Sequence, residues 1–472
     1  MIRIMTDEKK KSPYDILKES PMFQLSLASK ELFHSNFLAW IGSLPNRDNE
    51  EHPFKRLMKG LGVKNVDKWP KEWYVAREYK NFDLCVLSRL PDEFLDEDKH
   101  ENRNDGTDNK ENANLEDKEP VRVHLVLENK MKSIPYVKQL NDYLKKATQI
   151  NNRKKQKNRE NTPLDCILLT MATSFPDQDV VNKKWIIKSY KDLEGLLNGI
   201  LNIIEDGYSK RVIEDYKRQL EALNSLHEIW CPKEEKEFCN NSFLYFTTCS
   251  KTNKKNNVVY RRNEYRFDYL TLKQLRIHDL FQKQRYAMMC AILKNRISKK
   301  IEGIKFAEKD IREVECNTFV SFNYIHSEPL LDIWWKAGES FVYTIQVQAD
   351  SYEHGIQWLA AGKSAKELWE EKKDSICGWW MRSFDGNVQD KYGFEIVENS
   401  IFRDDTVFPV SPLTRKNKKT RKTETSYYGK YENSNSVFIY QTRKIESTVT
   451  VDDVLNYIVE DFKSMLDKLR KP

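Results

Sequence analysis

The stretch VRVHLVLENK, residues 121–130, decides how the first half of this chain folds. Every second residue from 121 to 127 is apolar, which predicts a β-strand with one apolar face. Because successive side chains of a strand point to opposite faces, Glu128 and Lys130 share the other face. Both side chains therefore project together from the end of a strand that is buried on its opposite side.

The pattern E-x-K has little meaning by itself, because it also occurs elsewhere, for example at residues 78–80 and 97–99. Its place at the end of an apolar strand is what distinguishes Glu128 and Lys130. A carboxylate and an ammonium group held side by side suit metal-assisted hydrolysis, in which the glutamate binds a divalent cation. The lysine then steadies or helps to deprotonate a water on that cation.

Asp83 is the natural second ligand for such a cation. It lies in NFDLCV, residues 81–86, between Phe82 and Leu84, whose side chains point the opposite way. A charged group inside an apolar strand needs a partner or a cation. Mg²⁺ typically takes one or two protein carboxylates and leaves its other positions to water and phosphate. Asp83 together with Glu128 meets that requirement.

A helix predicted over residues 25–41 carries a polar stripe beside its apolar one. Glu31, His34 and Ser35 lie on this stripe, at positions i, i+3 and i+4. The stripe is therefore placed to face the site, although Glu31 is equally compatible with an exposed helical glutamate. His34 is more typical of a packing or capping residue than of a catalyst.

A second helix, predicted over residues 134–150, places Gln139 and Tyr143 one turn apart. These two side chains could reach a phosphate or a substrate end together. The chain carries, in this order, Glu31, Asp83, Glu128-x-Lys130 and Gln139-xxx-Tyr143. This ordered set resembles the motifs of the PD-(D/E)XK nuclease superfamily, and its trailing Gln-xxx-Tyr is similar to the RecB-like branch.

The segments ELFHSNFLAW, VLENKMKS and QLNDY further resemble an uncharacterised bacterial subfamily of that superfamily, common among prophage and defence-type genes. The resemblance covers about residues 25–230. It implies a restriction-endonuclease-like α/β fold, in which helices flank a mixed sheet, and one or two Mg²⁺ or Mn²⁺ ions. The roles that it implies are metal ligands at Asp83 and Glu128 and a catalytic lysine at Lys130.

The resemblance also implies an accessory acid and metal ligand at Glu31, and contacts with the scissile strand from Gln139 and Tyr143. We expect Ser35 to join them in binding substrate. Two features depart from the family pattern. Phe82 stands where the motif name places proline, and the gap between the two principal carboxylates is unusually long.

The order of the remaining elements predicts a mixed sheet in the first domain and an α+β fold in the second. We expect a hairpin, single strands and helices in the first domain: strands at 73–79, 82–89, 166–170 and 185–190, and helices at 191–205 and 209–228. The second domain is expected to contain a long helix, three alternating strands, a charged helix and a terminal helix: 273–297, 319–325, 330–335, 341–349, 363–375 and 452–470.

These elements suggest the following organisation: a loose lead-in at 1–24, the nuclease-like domain at 25–231, a linker region at 232–262 and a C-terminal domain at 263–472. Residues 92–120 are mostly Asp, Glu, Asn and Lys, which predicts a disordered acidic insertion.

The net charge of +7 conceals a segregation of charge along the chain. Residues 92–119 hold 12 acids against 4 bases, so this stretch carries −8 and the rest carries +15. A basic body with basic runs at 151–158, 251–262 and 415–422 favours a polyanionic partner, and we expect nucleic acid, most readily DNA. The C-terminal domain would select the substrate, recruit a partner protein or join a second copy.

The N-terminus lacks the apolar region of a secretory signal, and no apolar run approaches the roughly 20 residues of a membrane helix. Eight scattered cysteines without a CxxC pair argue against a disulfide framework. We therefore expect a cytoplasmic protein with no membrane partner.

The sequence predicts a Mg²⁺- or Mn²⁺-dependent nuclease that acts in phage defence or DNA processing. Two alternatives stay open at this point. One is a nucleic-acid-binding or regulatory protein that is catalytically silent on a nuclease-like fold. The other is a defence effector that cuts RNA.

Overall fold

The computed structural model divides the chain into two compact units, residues 1–230 and 231–472. It describes the following residues: 11–25, 30–46, 51–91, 120–152, 163–175, 178–243, 250–252, 258–260, 266–307, 317–325, 328–336, 341–348, 351–358, 413–416, 423–426, 428–432, 437–445 and 449–469. Several predicted features lie outside these residues: residues 92–119 of the acidic insertion and the charged helix at 363–375. Most of each basic run also lies outside them, including residues 153–158, 253–257 and 417–422.

The described part of the first unit begins with four α-helices and three strands, after which helices alternate with strands up to β5. The helices are α1 Pro13–Glu19, α2 Pro21–Leu25, α3 Lys30–Ser43, α4 Pro53–Gly60, α5 Val137–Asn152, α6 Gln178–Asn182, α7 Tyr190–Leu201 and α8 Gly207–Trp230. The strands are β1 Tyr74–Arg77, β2 Leu84–Leu87, β3 Val123–Lys130, β4 Asp165–Thr170 and β5 Ile186–Ser189.

These five strands form one mixed sheet in the order β1-β2-β3-β4-β5. The first three strands pair antiparallel, and β3, β4 and β5 pair parallel. The parallel pairs require crossovers, which α5 and α6 supply. The expected mixed α/β fold with flanking helices is confirmed.

Strand β3 is covered on both faces, because all eight of its residues are buried. On the face of Val126, the side chains of Cys85, Leu140 and Leu168 belong to one buried apolar cluster, so α5 covers this face. On the opposite face, Asn129 contacts α3 and α7. The strand is therefore the centre of the unit.

The loose lead-in predicted at 1–24 is wrong for residues 13–19 and 21–24, which belong to α1 and α2. The Ser12 side chain accepts a hydrogen bond from the Asp15 backbone and caps α1, with proline at the first helical position. Leu17 is fully buried, and α1 lies against α8. Apolar burial, together with a hydrogen bond from Ser20 Oγ to Asp215 Oδ2 of 3.0 Å, orders this segment.

The second unit contains, among its described residues, helices that accompany a larger sheet. The helices are α9 Glu235–Asn240, α10 Arg266–Gln274, α11 His278–Lys300 and α12 Val451–Leu469. The strands are β6 Ser250–Thr252, β7 Val258–Tyr260, β8 Thr318–Ile325, β9 Glu328–Lys336, β10 Phe341–Gln348, β11 Ser351–Trp358, β12 Leu413–Lys416, β13 Thr423–Ser426, β14 Tyr428–Glu432 and β15 Val437–Lys444.

Six of these strands form an antiparallel sheet in the order β14-β15-β11-β10-β9-β8, and two hairpins pair β6 with β7 and β12 with β13. Helices α11 and α12 lie against each other, and Tyr352 of β11 donates a 2.6 Å hydrogen bond to Asp461 of α12. Residues 232–243 of the predicted linker belong to this unit, as does residue 231, which is expected from the sequence to end the first domain. Phe243 is buried, and its backbone N–H donates to the Val449 carbonyl.

None of the helices in the described part of the chain has both the length and the apolar character that crossing a membrane requires. The five cysteines described in the structure are buried free thiols: Cys85, Cys166, Cys231, Cys239 and Cys290. Burial raises the pKa of the Cys166 thiol to about 12 and that of Cys85 higher still.

Leu127→Ala should destabilise the first unit, because Leu127 and its cross-strand neighbour Leu84 are both fully buried. Truncating a buried leucine costs about 2–5 kcal/mol. The measurement is the rate at which an alkylating reagent modifies Cys85, which reacts only when the unit opens. A loss of about 2 kcal/mol raises that rate about 30-fold.

The matched control is Tyr208→Ala on α8, where the side chain is 68% exposed. In this variant the alkylating reagent should modify Cys85 at close to the wild-type rate. Equal rates in wild type and Leu127→Ala would show that β3 does not carry the stability of the unit.

Candidate active site

Glu128 and Lys130 lie at the end of β3, between β2 and β4. Glu128 is in register with Leu168 of β4, and Lys130 is in register with Thr170. The Lys130 Nζ lies 2.6 Å from Glu128 Oε1, and the two side chains are 10% and 0% exposed. The predicted pair therefore shares a face of the strand, as the alternation of side chains requires.

Asp83 lies one residue before β2, and β2 pairs with β3 through Leu84 and Leu127. The backbone N–H of Asn129 donates a 2.8 Å hydrogen bond to Asp83 Oδ2. The negative charge of Asp83 also raises the pKa of Glu128, so the two carboxyl groups lie close together. The sheet thus brings together the three side chains that the sequence singled out.

Burial raises the pKa of Glu128 to about 7, and repulsion from Asp83 adds to the rise. The attraction of Lys130 offsets only part of it. Burial also raises the pKa of Asp83, against the opposing effects of the Asn129 backbone and Lys130. Burial lowers the pKa of Lys130, but the charge and hydrogen bond of Glu128 outweigh it, so the net effect is a raised pKa. Lys130 is therefore an ammonium at neutral pH, beside a Glu128 carboxyl whose pKa is about 7.

Gln139 and Tyr143 of α5 extend this cluster towards the surface. Gln139 Nε2 donates to Glu128 Oε1 at 3.3 Å and to the Tyr143 hydroxyl at 2.8 Å. The Tyr143 ring also meets Phe82 edge to face, with centroids 5.7 Å apart. The two predicted substrate contacts therefore adjoin the carboxylate pair, and both side chains are partly exposed.

Glu31 lies close enough to raise the pKa of Glu128, although it is the weakest cause. Its Oε1 accepts hydrogen bonds from the backbone N–H groups of Lys132 and Ser133, at 3.0 and 2.6 Å. Glu31 therefore anchors the loop after β3, and the metal-ligand role expected of it stays a prediction.

Ser35 and His34 turn away from the carboxylate pair. Ser35 Oγ accepts a 3.2 Å hydrogen bond from Asn129 Nδ2, and Ser35 is buried. His34 Nδ1 is 2.8 Å from the Tyr216 hydroxyl, and His34 is also buried. Their surroundings give both residues a packing role, and substrate binding by Ser35 stays a prediction.

Two polar residues behind the site carried no expectation from the sequence. Asn129, between the predicted glutamate and lysine, accepts a hydrogen bond from the Tyr190 hydroxyl. The alternation of the strand could have indicated that Asn129 points to the opposite, buried face, where it needs partners. No local signal identifies Tyr190, which is 61 residues away in sequence.

The donor atoms suit a hard divalent cation. Glu128 Oε2 is buried and has no hydrogen-bond partner among the described residues. A carboxylate oxygen in this state, next to a second carboxylate, is the type of ligand that Mg²⁺ and Mn²⁺ accept. Within the described residues no group of three or more His, Cys, Asp and Glu side chains is placed to hold a metal ion. Water and phosphate would have to complete such a site.

No protein-family model, curated protein or solved structure matches this chain. The resemblance to the PD-(D/E)XK superfamily therefore rests on the residues and their order, and it stays a prediction.

The raised pKa of Glu128 predicts a pH-dependent stability. A carboxyl whose folded pKa is about 7, against an ordinary value of 4.5, favours the folded state most below pH 4.5. That contribution, about 3 kcal/mol, is lost as the pH rises through 7. Glu128→Gln cannot ionise, so metal-free Glu128→Gln should gain stability relative to wild type between about pH 5 and 8. Urea unfolding in a chelator measures the difference.

Glu214→Gln on α8 is the control, because Glu214 is exposed. Its stability should follow that of wild type across the same range. A parallel pH profile for wild type and Glu128→Gln would contradict the assigned environment of Glu128.

Proposed function

We propose that this chain is a metal-dependent nuclease that hydrolyses phosphodiester bonds. The observation that carries the proposal is the fully buried Glu128 carboxylate. One of its oxygens is held by Lys130 at 2.6 Å, the other has no described partner, and Asp83 is near enough for its charge to raise the pKa of Glu128. A folded protein tolerates such a concentration of buried charge mainly where a site requires it.

Asp83 and Glu128 are the residues that would hold the cation. When bound, a divalent cation supplies charge neutralisation at the phosphate and lowers the pKa of water. Two adjacent carboxylates that repel each other in the metal-free protein gain most from this neutralisation.

Lys130 keeps its positive charge beside the reacting phosphate, because Glu128 holds Nζ in place. An ammonium group fixed in a site with little water stabilises negative charge that develops in the transition state. The Tyr143 hydroxyl accepts from Gln139, which leaves its own proton with no partner among the described residues. That proton is available to a phosphate oxygen of the substrate.

The basic charge outside residues 92–119 supports nucleic acid as the substrate, with DNA as our choice. The second unit would select the substrate or bind a partner, either a different protein or a second copy. The buried free thiols support a reducing compartment, so we propose a cytoplasmic enzyme that acts in phage defence or DNA processing.

A catalytically silent nucleic-acid-binding protein is the second candidate. The observation that favours it is that the described residues offer two adjacent carboxylates and no three-residue metal group. Such a protein would bind nucleic acid in the presence of a chelator and release no products with any metal.

A cleavage assay separates these candidates. The full chain is incubated with linear duplex, circular and single-stranded DNA and with RNA, with Mg²⁺, Mn²⁺ or a chelator. We expect metal-dependent products, and a loss of at least about 100-fold in rate for Asp83→Ala and Lys130→Ala. The controls are Asp142→Ala and Lys145→Ala, which change exposed residues of the same charge on α5.

The two controls should cleave at close to the wild-type rate. If Asp83→Ala and Lys130→Ala also cleave as wild type does, the assigned site is wrong. If the protein cleaves RNA but not DNA, the proposed chemistry stands and the protein is the RNA-cutting effector.

Metal affinity should rise with pH, because a proton must leave the carboxylate pair before a cation binds. With the pKa of Glu128 at about 7, each unit of pH below that value should weaken Mn²⁺ binding about tenfold. Calorimetry with Mn²⁺ at about pH 5.5, 6.5 and 7.5 measures this slope. An affinity that does not change with pH would place the cation away from Glu128.

A further inference from the structure

Asn129 is a polar side chain with no exposed surface, on the face of β3 opposite to Glu128 and Lys130. Its Nδ2 donates to the Glu31 carbonyl at 2.9 Å and to Ser35 Oγ at 3.2 Å. Its Oδ1 accepts from the Tyr190 hydroxyl. Both amide protons and the amide oxygen are therefore satisfied, each by a partner distant in sequence.

The backbone of the same residue holds a predicted metal ligand, since the Asn129 N–H donates to Asp83 Oδ2. Asn129 thus contacts α3 and α7 with its side chain and Asp83 with its backbone. Its two neighbours in the strand are Glu128 and Lys130.

Because of the geometry of a strand, these contacts also constrain the directions of the Glu128 and Lys130 side chains. Side chains alternate, so the direction of one residue fixes the direction of its two neighbours. If the end of β3 rolled or slipped by one residue, the Asn129 amide would lose three hydrogen bonds. An unsatisfied buried polar group is costly, so the amide resists this movement.

The topology brings Tyr190 to this position. Strands β3, β4 and β5 are parallel, and Lys130, Thr170 and Ser189 lie in register across them. Ser189 also caps α7 through a reciprocal pair of hydrogen bonds with Asp192. The first residue of α7, Tyr190, is therefore fixed at the same edge of the sheet as the end of β3.

We propose that Asn129 and Tyr190 together form a positioning device, which sets the placement of Asp83, Glu128 and Lys130 for the cation. This inference rests on the proposed function. Neither residue touches the cation or the substrate; both act through the end of β3. Partners that orient metal ligands in this way typically contribute about 10–100-fold to metal affinity.

The test uses Tyr190→Phe, which keeps the ring and removes only the donor to Asn129, and Asn129→Ala as the stronger change. The matched control is Tyr216→Phe. Tyr216 is also fully buried, and its hydroxyl bonds His34 rather than Asn129. Each full-length variant is titrated with Mn²⁺, and amide hydrogen exchange of the metal-free protein is followed by mass spectrometry.

We expect Mn²⁺ affinity to fall about tenfold in Tyr190→Phe and further in Asn129→Ala, and by less than about twofold in Tyr216→Phe. In the metal-free protein, exchange should accelerate in peptides that cover residues 128–133 for the first two variants only. The backbone N–H groups of Asn129, Lys132 and Ser133 in this segment are bonded to Asp83 and Glu31.

If residues 128–133 exchange equally in Tyr190→Phe and Tyr216→Phe, the positioning role is refuted. Should Tyr190→Phe exchange faster yet bind Mn²⁺ as wild type does, the role is refuted as well. If the wild-type protein binds no Mn²⁺ and cleaves no substrate, the proposed function is wrong. The comparison of hydrogen exchange then still decides whether Asn129 and Tyr190 fix the end of β3. If Asn129→Ala does not fold, Tyr190→Phe alone decides both readouts.

Discussion

The ion pair between Lys130 and Glu128, buried at the end of a central strand, is the interaction on which the arrangement of the candidate site depends. Removing two charges from water is costly, and their mutual attraction repays that cost only when further hydrogen bonds satisfy them. Here Gln139 supplies one such bond to Glu128. Asp83, however, places a second negative charge nearby, which adds to the effect of burial in raising the pKa of Glu128 to about 7.

The sheet topology explains how so much charge is assembled in one place. The antiparallel pairing of β2 with β3 brings Asp83 to the end of β3, and the parallel pairing with β4 and β5 brings Tyr190 to the other face. One face of the strand end then holds the charged groups, and the other holds a neutral hydrogen-bonded amide. The neutral face ties β3 to two helices, which gives the charged face a rigid support.

Local patterns were sufficient for much of the first unit. Alternation of apolar residues predicted β3, and the three residues of the E-x-K pattern are the last three of that strand. Helical spacing predicted α3, α5 and α8 to within a few residues. The lead-in failed because its order depends on packing against α8, about 190 residues later, which no local pattern reports.

The sequence by itself determined the mixed α/β fold and the identity of the charged residues, because side-chain periodicity depends only on neighbours in the chain. It also indicated that Glu128 and Lys130 share a face. Only the tertiary structure decided that the Asn129 backbone bonds Asp83, that Glu31 anchors the loop after β3, and that Tyr190 satisfies Asn129. The reason is physical: strand pairing and helix packing join residues 46 to 102 positions apart, and burial at those contacts sets the pKa values of the site.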